Sequence, residues 1–138
     1  MVRAMGLLRT MIAVAPLSAP ERRLELEEVL VDTGSEYSWL PAVLLHSLGI
    51  VPVRADRFET ADGRVLDRDV GFAMIHAGGR STPSLVVFAH HSDTVLLGAI
   101  ALQGLNVRVD LVRRALVSGG PIPVPSHVAA QRWWRSRA

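Results

Sequence analysis

The chain alternates between short apolar runs and turn-forming residues, and few of those runs carry a helical period. Thr10 to Val14 is a short apolar run, Ser18, Ala19 and Pro20 break it, and from Leu24 to Val31 a second run sets Leu24 and Leu26 against Glu25 and Glu27. Two such runs around a break predict a hairpin. The alternation loses phase at Glu27 and Glu28, after which Val29, Leu30 and Val31 are continuously apolar. That is the pattern of a strand that bulges as it passes from a half-exposed to a fully buried position. Asp32, Thr33 and Gly34 follow directly, so this strand delivers a carboxylate from the interior onto a tight turn.

Pro41 to Leu48 predicts a helix, with Pro in its first turn, Leu44, Leu45 and Leu48 on one face, and Gly49 just past its end. Arg57 to Thr60 and Val65 to Ile75 flank Ala61, Asp62, Gly63 and Arg64. An Asp-Gly pair between alternating segments predicts a hairpin, because both positions tolerate positive φ. Gly78 and Gly79 mark the next turn, before a strand over Ser84 to Ala89. Thr94 to Leu97 is another buried-type run ending at Gly98, and Gly98 to Leu105 predicts a second short helix, followed by strands near Val107 to Val109 and Ala115 to Val117. Several short strands and at most two short helices predict an all-β barrel or sandwich and disfavour an α/β sheet, which needs repeated helical crossovers.

Composition narrows the chemistry. At 138 residues the chain fits one domain. It has no cysteine, which excludes disulfides, thiol nucleophiles, iron–sulfur ligation and thiolate zinc sites. All 15 basic residues are Arg, so a Schiff-base lysine and a Walker-type phosphate loop are excluded as well. A net charge of +2 is too small to imply a nucleic-acid partner, although Arg108, Arg113, Arg114, Arg132, Arg135 and Arg137 face only Asp110 in the last stretch. No apolar run approaches the ~18 residues a membrane span requires. Met5 to Ala15 has the apolarity of a signal peptide, but Arg9 interrupts its centre and the stretch reads equally as a first strand. A cytoplasmic protein is therefore expected, with export as the alternative. From Ser118 the character changes: Gly119, Gly120, Pro121, Pro123 and Pro125 make an extended linker, and Trp133, Trp134 and Arg135 end the chain. The expected division is a domain over 1–117 and a linker with a Trp/Arg-rich tail over 118–138, the tail reading as a flexible or dimer-packed segment.

In this order the elements resemble a retropepsin-like aspartic protease of the single-domain bacterial kind, the relatives of retroviral proteases. Asp-Thr-Gly alone arises by chance in roughly one chain of this length in thirty, so its ordered company carries the resemblance. That company is Val31-Asp32-Thr33-Gly34-Ser35, then Ser38 and Leu40 before the Pro41 helix, the Ala61-Asp62-Gly63-Arg64 hairpin where the family has its flap, and Leu96-Leu97-Gly98 behind the active-site turn. The resemblance implies an all-β acid-protease barrel and an aspartic endopeptidase acting on peptide or protein substrates. It also implies a homodimer, since the chain holds one Asp-Thr-Gly and the chemistry needs two facing carboxylates. The paired-carboxylate mechanism is the general one for aspartic proteases, in which one Asp stays ionised as the base on water while the other donates a proton to the scissile carbonyl. On that reading Asp32 is catalytic, Thr33 turns its hydroxyl into bonds that cross the dimer, and Gly34 lets water and substrate backbone approach. Ala61, Asp62 and Gly63 form the flap over an extended peptide.

Glu36 and Tyr37 depart from the smaller residues of many relatives, and Glu36 is expected to alter pH dependence or substrate preference. The alternative function is a catalytically idle module used for dimerisation or peptide binding; an intact Asp argues against it, because apposed carboxylates carry an electrostatic cost. His90, His91 and Asp93 read as a loop, because no matching ligands follow at zinc spacing, and no metal or cofactor is expected. His46 and His76 are assigned to packing or surface. No Gly-x-Ser-x-Gly elbow is present for a serine hydrolase.

Overall fold

The computed structural model describes residues 8–130. Leu8–Ala15 (β1) and Leu24–Val31 (β2) pair antiparallel, and the phase slip in the second run is a bulge. Thr10 faces Val29 while Ile12 faces Leu26, so two steps along β1 span three along β2. Glu28 takes up the extra residue at φ 58°, and Arg9 donates a hydrogen bond to its carbonyl at 3.2 Å. Leu26 and Val29 are three residues apart and would point to opposite faces of a regular strand. The bulge lets both, together with Val31, reach one core.

The next strands are Ser38–Pro41 (β3), Arg54–Glu59 (β4), Val65–Ala77 (β5), Arg80–Ala89 (β6) and Leu96–Leu97 (β7), with helices Ala42–Ser47 (α1) and Ala99–Leu105 (α2). The seven-stranded sheet runs β1-β2-β7-β3-β6-β5-β4, and β1 also pairs with β5. This second pairing closes six strands into a barrel and leaves β4 outside it. The length of β5 makes that possible: its Val65–Val70 half carries β4, while Met74, Ile75 and His76 pair with Ala15, Val14 and Ala13. Parallel pairings of β2 with β7 and of β3 with β6 fold the chain so that β7 lies between β2 and β3. Val107–Asp110 (β8) and Ala115–Ser118 (β9) form a separate two-stranded sheet.

The barrel interior holds Ile12, Val14, Leu40, Ile75, Val86 and Leu97, and the helices add Leu45 and Leu105, all essentially inaccessible to water. Truncating any one of these to Ala should cost roughly 2–5 kcal/mol. The architecture is thus the expected all-β barrel with two short helices.

Several local expectations need correction. The sequence pattern gave no sign of β3, whose four residues sit inside a turn-rich stretch. Pro41 ends that strand and caps α1 from outside rather than occupying its first turn. Only Gly63 of the Asp-Gly pair takes positive φ, at 88°. The buried run before Gly98 is strand only at Leu96 and Leu97. The Gly-Pro segment after β9 begins tied to the fold, with Gly119 donating to the Asn106 carbonyl and the Asn106 amide donating to Gly120, each at 2.9 Å. A short 3-10 turn covers Ser126–Ala130. Trp133, Trp134 and Arg135 lie outside the described residues.

Candidate active site

Asp32 follows the last residue of β2, and its amide donates to the Leu97 carbonyl at 2.9 Å, extending the β2–β7 ladder by one bond. The side chain turns back on the chain: Gly34 donates its amide to Asp32 Oδ1 at 2.9 Å, and Ser35 donates to the Asp32 carbonyl at 3.2 Å. This is the local Asx geometry that Asp favours in turns. It fixes one carboxylate oxygen and leaves the other for chemistry. A Cβ at position 34 would stand 3.2 Å from Asp32 Oδ1, so glycine gives the carboxylate its room.

The turn is held from behind by the start of α2. Helix starts leave backbone amides without intrahelical partners. Here Ala99 donates to the Ser35 carbonyl at 2.7 Å and Ile100 to the Glu36 carbonyl at 3.0 Å. Gly98 donates to the buried Ser38 hydroxyl at 2.9 Å, and the Ser35 hydroxyl donates to the Tyr37 carbonyl at 2.8 Å. A Cβ on Gly98 would collide with the carbonyl oxygen of Tyr37 and stand 2.8 Å from that of Ser35. Its backbone is extended, so close approach alone demands glycine here. The Leu96-Leu97-Gly98 segment therefore supplies a ladder partner, a core side chain and a backbone contact surface.

Asp32 and Gly34 open into a cleft of about 1040 Å³ whose other wall is β4 and the start of the following turn. Phe58 of β4 packs edge-on against Tyr37 and Trp39, with ring centroids 5.9 and 5.1 Å apart, and so ties the hairpin strand to the loop after Asp32. The hairpin turn is built locally. Thr60 donates its amide to the Arg64 carbonyl at 2.8 Å, Gly63 donates to the Thr60 carbonyl at 2.9 Å, and the Thr60 hydroxyl donates to Asp62. That last bond holds the Asp62 carboxyl below its usual range.

At the hairpin base, Arg68 makes two bonds to Asp93, at 2.7 and 2.9 Å, with side chains only 11% and 9% exposed. The guanidinium lowers the Asp93 pKa, and burial opposes it less strongly. Asp93 also accepts from the His90 amide at 2.8 Å. This aspartate locks a loop to β5, and no group of three His, Cys, Asp or Glu able to hold a metal occurs among the described residues. His46 stacks at 5.1 Å on Phe88. His76 is on β5 with Nε2 buried and without a hydrogen-bond partner, and burial lowers its pKa.

The structure thus gathers Asp32, Gly34 and Ala61 around one cleft, while Asp62 and Gly63 form the turn beyond it. Thr33 points elsewhere, into a shallow depression formed with Ala99, Leu102, Val107 and Val109. Sequence reasoning missed Trp39 and Phe58. The signal was their spacing: Tyr37 and Trp39 share a parity after the motif, and Phe58 lies on the strand leading to the Asp-Gly turn.

A barrel that presents an Asp-Thr-Gly turn beneath a hairpin defines a class, and comparison with known proteins agrees. The family model described as aspartyl protease matches residues 24–100, more than half of the 138, and the chain belongs to that family. Among solved structures, the chain is similar to the solution structure of simian foamy virus (mac) protease. The two are 18% identical with a TM-score of 0.44, covering 68% of this chain and 92% of that one. No curated protein matches.

Proposed function

We propose that the protein is an aspartic endopeptidase in which Asp32 from each of two identical chains shares one proton across a twofold axis. The observation that carries this reading is the placement of the Asp32 carboxylate, one oxygen held by Gly34 and the other without a hydrogen bond among the described residues, in the lining of a cleft of about 1040 Å³. In the dimer one carboxylate takes a proton from water as water attacks the scissile carbonyl, and its neighbour donates to the carbonyl oxygen. No covalent intermediate forms. Thr33, exposed beside apolar Leu102, Val107 and Val109, is suitably placed for bonds to the second chain. The Ala61-Asp62-Gly63 hairpin acts as flap, closing on substrate and excluding bulk water. The domain expected over 1–117 carries the chemistry, and the segment expected as a linker from 118 plays no part in it.

The mechanism needs one carboxylate as base and one as acid, so activity should pass through a single pH maximum and fall on either side. The test is cleavage of a peptide library from acid to neutral pH by the native protein and by Asp32→Asn, at a concentration where both are dimers. Cleavage by the native form alone supports the proposal; cleavage by both places the chemistry elsewhere. Dilution below the dimer dissociation constant should reduce specific activity.

A further inference from the structure

The cleft is unevenly charged. Asp32, Glu36, Asp56 and Glu59 line it, against a single lining cation among the described residues, Arg57. That cation is engaged, with its Nε 3.0 Å from Asp67. Asp56 is likewise paired, at 3.0 Å from Arg54. Glu36 makes no ion pair or side-chain hydrogen bond among the described residues, and it is exposed. It stands next to Tyr37, whose ring with those of Trp39 and Phe58 gives the same stretch of cleft an aromatic wall.

A cleft lined by both a carboxylate without an ion-pair partner among the described residues and a set of aromatic rings suits a long cationic side chain. The methylene stem of Arg or Lys lies on apolar surface while its charged head stays near solvent. A guanidinium over an aromatic face is attracted to the ring, and the carboxylate adds charge attraction. We infer that Glu36, with the Tyr37–Trp39–Phe58 wall, selects substrates carrying Arg or Lys near the scissile bond. This rests on the endopeptidase reading and names the substrate class of its cleft. Twofold symmetry would place one such subsite on each side of the bond. An acidic side chain at the same position is disfavoured.

The probe is a peptide set with an apolar pair at the centre and Arg, citrulline or Glu at each flanking position in turn. Citrulline keeps the shape of Arg and removes its charge. The native protein should cut the best Arg peptide on the order of fivefold faster in kcat/KM than its citrulline twin, and the Glu peptide slowest. Glu36→Gln should bring the Arg-to-citrulline ratio toward one, and Glu36→Lys should invert the order. The ratio should also shrink at high salt. Equal rates for Arg and citrulline in the native protein overturn the inference, as does a preference that survives Glu36→Gln. If no peptide is cut, the endopeptidase reading fails while the inference is still decided by binding. Fluorescence anisotropy with the same peptides then either shows tighter Arg binding that Glu36→Gln weakens, or shows no difference and overturns it.

Discussion

The Asp32 turn and the Thr60–Arg64 turn both join the ends of strands and both face the cleft, yet they are held in different ways. The first is fixed through its backbone to neighbouring elements of the barrel: Leu97, the first amides of α2 and the Ser38 hydroxyl. No ion pair among the described residues takes part. The second is closed by bonds within its own few residues, two of them backbone and the rest from half-buried Thr60 and exposed side chains, with Arg64 3.3 Å from Asp62 and Arg57 3.0 Å from Asp67 as its nearest charge pairs. Exposed pairs of this kind contribute little. The lesson is a division of labour: the Asp32 carboxylate, which on the proposed mechanism meets its twin within a hydrogen bond, is set by the barrel, while the hairpin proposed to admit a substrate depends on local contacts.

The largest effect should come from Asp32→Asn, which should abolish peptide cleavage and leave the fold intact, as circular dichroism and thermal melting would show. The Arg68–Asp93 pair, where the hairpin meets the barrel, sharpens the comparison. Asp93→Asn leaves a partly buried guanidinium without its charge partner and should cost about 2 kcal/mol in urea denaturation. The pKa of Asp93 is lowered in the folded protein, so its contribution is full above the usual aspartate value of about 4 and is lost as pH falls through the lower folded value. The native protein should therefore lose stability more steeply on acidification than the Asn variant.

Gly98→Ala forces a methyl group against the carbonyls of Tyr37 and Ser35 and should cost about 2 kcal/mol, with activity falling further than stability because the Asp32 turn shifts. Gly63→Ala meets no neighbour and suffers only the positive φ, a penalty of roughly 1 kcal/mol in thermal denaturation. If Gly63→Ala proved as damaging as Gly98→Ala, the contrast between the two turns would be wrong.

Much of the barrel was legible because its signals are local. The slip of phase at Glu27 and Glu28, the glycine after α1 and the Asp-Gly turn each report a backbone requirement within a few residues. The closure of β1 onto the far end of β5 was not legible, since it depends on a 13-residue strand serving two partners, which alternation alone does not distinguish from one. Strand β3 was hidden for a related reason: Ser38 is apolar in neither pattern nor chemistry, yet it is buried because it receives the Gly98 amide. Around the cleft, Asp32 and the hairpin stood out by motif. Trp39 and Phe58 did not, because the contact that joins them spans β3 and β4, and the parity of Tyr37 and Trp39 marks a shared face without naming the strand it meets.

The central claim, that two chains build one catalytic pair, is tested most directly by refolding native and Asp32→Asn chains together in equal amounts. Random pairing makes only about one dimer in four fully native, so activity should fall to roughly a quarter of that of an all-native sample at the same total concentration. Retention of half the activity would mean that each native chain works alone, and would contradict the account.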